Sequence, residues 1–552
     1  MNSTDIRRIN LAQKCINAGK NEYAVLVISK LMSDFDNENK PDILNEVGKL
    51  YLNMGIYRKA QELVQKSFDI EKSVETLKLL AKVNNLCGNY EDAAIQYEEL
   101  IKYEPEESNY LKSASAYNRL GFLEEAIRIY KLYVEKYKNV RAYSELALAY
   151  ITMGLEQEAI DACEDLKKIA PNHPMTMNTL GFLYEAIYYD YEKAKEYFLK
   201  SAKSGFKEAY YNLGVCNKQS ENLEDAEKYL KRLISLKVDL KEIDYQYTLG
   251  SIYLAQRKLA QGYKYYKNRT ATKIMNERNK NRLWDGKSYP KETLYIRAEQ
   301  GYGDNIQFIR YIPMAAEKFK NVIFGTYPNL VELFQRSFPV EKYPNIKIVS
   351  TDVIVRYNKF IPLLDIPYLL HTNFHNIPAQ KQYLICSERK KDMFKNNFFE
   401  TDRKKVGICW RAKGMGIRDA VYRTIDAPYY FRHFFENDNV KFYSFQMNDI
   451  FDMCEKYPQI VDLAPHIKTF DDTAAALMNL DVLITVDTAL AHLAGALGVK
   501  TYLLLCHAPD WRWFDNTEKT EWYPSVTIIK QNDRKTWEDV SEKITKIVKT
   551  IS

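Results

Sequence analysis

"DVLITVDTALAHLAGALG", residues 481–498, is a short apolar run, a polar break and a small-residue segment closed by glycine. The run Asp481–Val486 is β-branched and far too short to cross a membrane, which suits a strand buried on both faces. Asp487 and Thr488 follow at once, and Thr488 suits the N-cap of a helix that Gly498 ends. The step from strand to helix therefore brings an acid, a hydroxyl and, one turn later, His492 to one point. Unpaired N–H groups around Thr488 and Ala489, together with the helix dipole, favour an anion there. Thr488 and His492 are four residues apart and share a helix face. His492 also fits the plainer role of a satisfied structural histidine.

The same texture extends through the second half of the chain. From Thr293 onward, apolar runs of strand length alternate with amphipathic segments, the pattern of parallel βα units. "TLYIRAEQGYGDNIQFIRYIPMAAE" reads as strand, glycine-rich turn and helix; "NVIFGTY" is a strand and "VELFQRSF" a helix. A second series opens at "KKVGICW" and continues through "VKFYSFQ", "IVDLA", the helix "TAAALMNL", the opening stretch, the strand "KTYLLL" and a closing helix from Trp537 to about Ile551. The charged stretch "CSERKKDMFKNNFFETDRKK" between the series reads as a linker. Two doubly wound units facing each other would leave a cleft at the carboxyl ends of their strands, where ligands bind in such folds.

Several polar features fall at those strand ends. Gly301, Gly303 and Asp304 follow the first strand; the glycines let the backbone turn and a ligand approach, and Asp304 suits either a helix cap or a base. The full dinucleotide fingerprint is absent, which argues against an NAD site. Arg411 and Lys413 follow "VGICW" and suit a diphosphate through charge-assisted hydrogen bonds, with Arg418 and Arg423 nearby. Gln446 ends "VKFYSFQ". In "HAPDWRWF", residues 507–514, Asp510 and Trp511 stand beside Arg512 and Trp513; the indoles suit either stacking on a base or sugar, or packing.

The first half is a repeat array. Gly55, Gly88, Gly121 and Gly154 are spaced by 33 residues, as are Ala60, Ala93, Ala126 and Ala159, and the alanine ladder continues at Ala194, Ala226 and Ala260 and begins earlier at Gly19 and Ala24. Each unit reads as two helices joined at the glycine, with the alanine allowing close approach; such pairs must stack to bury their apolar faces. About seven units fit between residues 8 and 270. The basic segment Lys264–Arg282 reads as a solvated last helix.

At 552 residues the chain exceeds a single core, while 46% apolar and 28% charged residues are ordinary for a globular protein. A net charge of +6 is small at this length and calls for neither nucleic acid nor a membrane surface. Eight cysteines are scattered without CxxC or zinc spacing, as expected for reduced thiols. The N-terminus lacks the apolar core of a signal peptide and no apolar run reaches membrane-spanning length, so the expected location is the cytoplasm.

The repeats resemble tetratricopeptide repeats, with Leu180–Cys216 closer to the Sel1-like type. "AEQGYGDNIQFIRYIP", "VGICWRAKG", "FYSFQ", "DDTAAALMNLDVLITVDTALAHLAGALG" and "APDWRW…EWYP" together resemble the GT-B glycosyltransferase domain of tetratricopeptide-repeat proteins, akin to bacterial heptosyltransferases and more distantly to protein O-GlcNAc transferase. The resemblance implies an α-helical repeat solenoid over residues 8–270, followed by two facing Rossmann-like domains over 284–390 and 404–552. It implies a nucleotide-sugar donor held mainly by the last of these, a protein acceptor held by the repeats, and no metal or other cofactor. Asp304 matches the acid proposed there to deprotonate the acceptor. Asp487, Thr488, Ala489 and His492 match the donor-binding "DT…H" segment, and Arg411 stands where a basic residue meets the diphosphate. "RAKG" departs from the "AGNP" usual after this strand. The absence of DxD at a strand end agrees with metal independence. The implied activity is transfer of a sugar to a protein hydroxyl, flagellin or another surface protein being an acceptor by analogy. The alternatives are a non-catalytic repeat adaptor and a heptosyltransferase that builds glycan.

Overall fold

In the computed structural model the chain divides into two compact units, Met1–Phe206 and Lys207–Ser552. The structure describes residues 1–551 apart from 19, 34–38, 238–243, 380, 413–422, 448–452, 454–455 and 515–517. Lys413, Arg418 and Gly19 thus lie outside the described residues.

The first unit is built of antiparallel helix pairs. Gly88, Gly121 and Gly154 end the helices Val74–Cys87, Glu107–Leu120 and Val140–Met153 with φ of 84°, 81° and 72°, the left-handed region that a side chain disfavours. Ala60, Ala93, Ala126, Ala159 and Ala194 are fully buried on the second helix of each pair. A further ladder of small residues at the same period stands on the first helix of each pair: Gly48, Ala81, Ala114, Ala147 and Gly181. Its small residues seat the partner helix. A Cβ at Gly48 would stand 2.5 Å from Val64, and one at Gly181 2.5 Å from the Phe198 ring. Gly181→Ala should therefore destabilise the chain by about 1–3 kcal/mol through overpacking, read as a lowered denaturation midpoint; an unchanged midpoint would show that the Phe198 ring yields freely.

The second unit opens with the helices Ala209–Gln219, Leu223–Ser235, Tyr245–Ala255 and Leu259–Tyr266. Here the alanine ladder needs correction. Ala226 is buried, but Ala260 is exposed and Leu259, 33 residues after Ala226, takes the buried place. These helices share one core with the sheet-forming region: Leu254, Leu259, Tyr263 and Tyr266 pack in the same cluster as Leu294, Phe308 and Trp511. The repeat array therefore does not close before the sheets begin. Its last turns dispense with glycine, and Glu221 and Arg257 occupy the left-handed region at φ 60° and 63°. Each costs about 1–2 kcal/mol of backbone strain. Their side chains contribute in return, Glu221 to Lys530 and to His507 at 3.5 Å, and Arg257 over the Phe514 ring at 5.6 Å.

Beyond the helices lie two parallel sheets. The first contains β1 (Tyr289–Arg297), β2 (Phe319–Thr326), β3 (Ile346–Ser350) and β4 (Lys359–Pro362) in the order β3-β2-β1-β4. The second contains β5 (Lys404–Cys409), β6 (Val440–Ser444), β7 (Val461–Asp462), β8 (Val482–Val486), β9 (Thr501–Leu505) and β10 (Val526–Lys530) in the order β10-β9-β8-β5-β6-β7. In each sheet the order reverses beside the first strand, so the chain ends of β1 and β4, and of β5 and β8, flank a switch point. All five residues of β8 are buried, with Val482, Ile484 and Val486 in one cluster and Leu483 in the other, as expected for a strand covered on both faces.

Two stretches expected to be loose are tightly held. In the segment read as a linker, Glu388–Phe398 is a helix, and Lys390 reaches Asp471 at 2.9 Å, Asp472 at 2.8 Å and Glu332 at 3.0 Å. In the segment read as solvated, Arg269 is 2% exposed. Its guanidinium pairs with Glu299, just past β1, and with Asp365, just past β4, donating to the latter at 2.8 Å. It also donates to the Tyr266 carbonyl at 3.0 Å. A cation from the end of the repeats thus closes the switch point of the first sheet.

Candidate functional site

The turn after β1 is built differently from its expectation. Gly301 is extended (φ −84°, ψ 170°), and the residue in the left-handed region is Gln300, at φ 57°. Asn305 fixes this loop by donating to the carbonyls of Glu299 and Gly301 at 3.1 and 2.8 Å, while the Tyr327 hydroxyl donates to that of Gln300 at 2.7 Å. Gly303 is needed for space: a Cβ there would lie 2.8 Å from His492 Cδ2 and 3.5 Å from the Ala489 Cα. The small residues Gly303 and Ala489 let the helix Tyr302–Phe308 of the first sheet meet the helix Ala489–Leu497 of the second at their starts.

Asp304 has both carboxylate oxygens engaged. Oδ2 accepts from Gly301 N at 2.9 Å, and Oδ1 pairs with Arg512 Nη2. Arg512 donates from Nη1 to Asp510 at 2.7 Å and from Nη2 to the Tyr266 hydroxyl at 3.3 Å. Burial would raise the Asp510 carboxyl, but the neighbouring guanidinium outweighs it and holds the group below its ordinary value. The sequence singles out Asp304, Asp510 and Trp511 as candidates but not Arg512. The signal for Arg512 is a cation between two indoles, and its partner Asp304 is 208 residues away along the chain.

On the second sheet, Thr488 caps the helix Ala489–Leu497, its Oγ1 accepting from Leu490 N at 3.3 Å, and Gly498 ends that helix at φ 76°. The Ala489 N–H has no acceptor among the described residues. Asp487 is buried at the end of β8, where Arg423 stands 3.7 Å from its Oδ2 and donates to its carbonyl at 3.1 Å. Burial pushes the Asp487 carboxyl up to about 6, partly offset by Arg423 and reinforced by Asp510. His492 is 5% exposed, stacked on Trp513 with centroids 5.0 Å apart, and its Nδ1 lies 2.9 Å from the Tyr523 hydroxyl. Burial, then the charge of Arg512, lowers its value to about 3, so the ring is neutral at pH 7. Gln446 Oε1 accepts from the backbone N–H of Trp410 at 3.3 Å and of Arg411 at 2.9 Å, which sets the path of the loop after β5 and carries Arg411 with it.

One candidate must be corrected. Trp511 is 1% exposed and packs edge-on against Tyr263 and Tyr266, with centroids 6.2 and 5.5 Å away, so its faces belong to the core and offer no surface for stacking on a ligand. The other described candidates gather at the ends of β1, β5, β6, β8 and β9. Gly303→Ala tests how much this meeting place depends on close approach: the added methyl should displace His492 and destabilise the chain by about 1–3 kcal/mol, read as a lowered denaturation midpoint. An unchanged midpoint would show that the His492 ring gives way freely.

The chain carries tetratricopeptide repeats. The family model described as tetratricopeptide repeat matches residues 140–173 and 207–237. Protein FlbA of Caulobacter vibrioides is 22% identical over 526 residues, covering 87% of this chain and 85% of FlbA. Among solved structures, a tetratricopeptide repeat protein from Parabacteroides merdae is similar at 16% identity with a TM-score of 0.34, over 43% of this chain and 96% of that one. MamA from Desulfovibrio magneticus is similar at 20% identity with a TM-score of 0.26, over 30% of this chain and 94% of its own. The repeats make a protein or peptide the natural class of partner. No helix among the described residues is long and apolar enough to cross a membrane.

Proposed function

We propose that the chain is a glycosyltransferase that moves a sugar from a nucleotide-sugar donor to a protein hydroxyl presented by the repeats. In this reading the two sheets are the halves of a GT-B fold, which their strand orders support. The observation that carries the proposal is the meeting of the two sheets' helix starts, where Gly303 lies against His492 and Ala489 while Arg512 joins Asp304 to Asp510. Groups from both sheets thereby reach one place, as a transfer between donor and acceptor requires. The Ala489 N–H, Arg411 and Arg423 would stabilise the charge that gathers on the departing diphosphate. Asp304 would take the acceptor's proton once Arg512 turns to the ligand. Flagellin or another surface protein is the acceptor to try first.

A second reading, a repeat adaptor that binds without turnover, is favoured by one feature: Asp304 is held by Gly301 and Arg512 and so is occupied as it stands. One experiment decides between them. The full chain is incubated separately with UDP-, GDP-, ADP- and CMP-sugars, nucleotide release is measured, and co-expressed acceptors are weighed by mass spectrometry. Release with a sugar-sized mass gain supports transfer; binding without release supports the adaptor; no binding of any donor overturns the first reading.

A further inference from the structure

Behind His492 lies a set of buried polar groups that the proposed transfer does not use. Tyr523 sits in the notch of Gly495, three residues along the same helix, where a Cβ would stand 2.4 Å from the Tyr523 ring. The absent side chain brings the hydroxyl within 2.9 Å of His492 Nδ1. Arg310, 3% exposed, stands against the other side of Tyr523 with its guanidinium 4.8 Å from the ring centroid. Its partners among the described residues are the carbonyls of Gln307 (2.8 Å), Trp522 (2.8 Å) and Pro378 (3.4 Å) and the Tyr383 hydroxyl (2.8 Å), with no carboxylate among them. Tyr383 in turn donates to the Ile306 carbonyl at 2.8 Å. At the far side of the imidazole, Nε2 makes no hydrogen bond among the described residues and lies 3.5 Å from where a Gly303 Cβ would be.

We infer that Tyr523, backed by Arg310 and Tyr383, is a positioning residue that locks His492 as the Nε2–H tautomer, so that a neutral imidazole presents one N–H to an anionic ligand oxygen beside Gly303 and the Ala489 N–H. The tautomer follows from what surrounds the Tyr523 hydroxyl. Tyr383 already gives its hydroxyl proton to Ile306 and accepts from Arg310; the Tyr523 hydroxyl faces Tyr383 and Arg310 as well, but among the described residues His492 Nδ1, at 2.9 Å, is the acceptor within hydrogen-bond distance of it. Donation from Tyr523 to Nδ1 leaves the ring hydrogen on Nε2. Protonation of both nitrogens would put a second positive charge next to Arg310, with Arg512 and Arg423 adding to the repulsion and Asp510 opposing it. A buried cation without a carboxylate thus has a use: it keeps its neighbour a donor of one hydrogen bond and no charge.

The inference rests on the nucleotide reading for the identity of the anion, but not for the tautomer. The first measurement is therefore ligand-free: long-range ¹⁵N–¹H correlation of histidine-labelled full chain at pH 7, assigned with His492→Gln. The Nε2–H pattern is expected for His492, and an Nδ1–H or doubly protonated ring overturns the inference whatever the ligand. The second is calorimetric titration with UDP, GDP and ADP. Tyr523→Phe should weaken the nucleotide that binds by about tenfold or more, the worth of one hydrogen bond to a charged group. In a His492→Gln background, where the amide supplies its own N–H, the same change should cost nothing. Equal cost in both backgrounds marks Tyr523 as merely structural and overturns the coupling. If the wild-type chain binds none of the three, the nucleotide reading fails while the tautomer result stands.

Discussion

Arg269→Ala should lower the unfolding free energy of the chain by about 3–5 kcal/mol, among the largest losses a single change can cause here, because it strands two buried acids without their cation. Glu299 and Asp365 are both held by the Arg269 guanidinium, and Glu299 accepts in addition from Leu364 N at 3.2 Å. Burial raises both carboxyls above their ordinary values of 4.5 and 3.8, with Arg269 pulling in the opposite direction. A carboxyl whose value is higher in the fold binds more protons folded than unfolded, so its contribution is fully present below the ordinary value and is lost as pH rises through the folded one. Without Arg269 the two values rise further and the loss deepens. The difference in stability between the wild type and Arg269→Ala should accordingly shrink as pH is lowered from 7 towards 4.5. Denaturant titration at several pH values checks this, and a pH-independent difference would show that the guanidinium acts through packing alone.

Asp304→Asn carries the second large expectation. If Asp304 takes the acceptor's proton, turnover should fall by about 10²–10⁴-fold, with nucleotide affinity little changed. Asparagine keeps an oxygen for the Gly301 N–H but gives up the charge that faces Arg512, so a structural role alone would appear as a lower denaturation midpoint with turnover per folded molecule preserved. The two outcomes differ because only the proton transfer depends on the carboxylate in the transition state. Turnover equal to the wild type would remove Asp304 from the chemistry and leave it as an anchor for Arg512.

Local features are legible in the sequence where a short stretch of chain dictates them. Left-handed glycines at 88, 121 and 154, the buried alanines from Ala60 to Ala226, and the Thr488 cap with its Gly498 stop all reflect what one residue does to its own backbone or its own helix face. The ladder breaks at Ala260 because periodicity of one residue type is a weaker guide than periodicity of burial, and Leu259 holds the register. The alternation does not reveal the strands β3, β4 and β10. Gly303 stands out in the sequence for its freedom of φ, yet it matters for space, which depends on a helix almost two hundred residues away.

By itself, then, the order of residues determined the repeat period, the helix stops, the strand–helix alternation and the places where strands deliver polar groups, since each depends on neighbours along the chain. Tertiary structure alone decided which of those groups meet. It put Arg512 between Asp304 and Asp510, sank Arg269 between two acids, closed Trp511 into the core and set Tyr523 behind His492. The reason is physical: an unpaired charge or hydroxyl is costly once buried, so the fold chooses its partners from whatever distant segments the packing brings within about 3 Å.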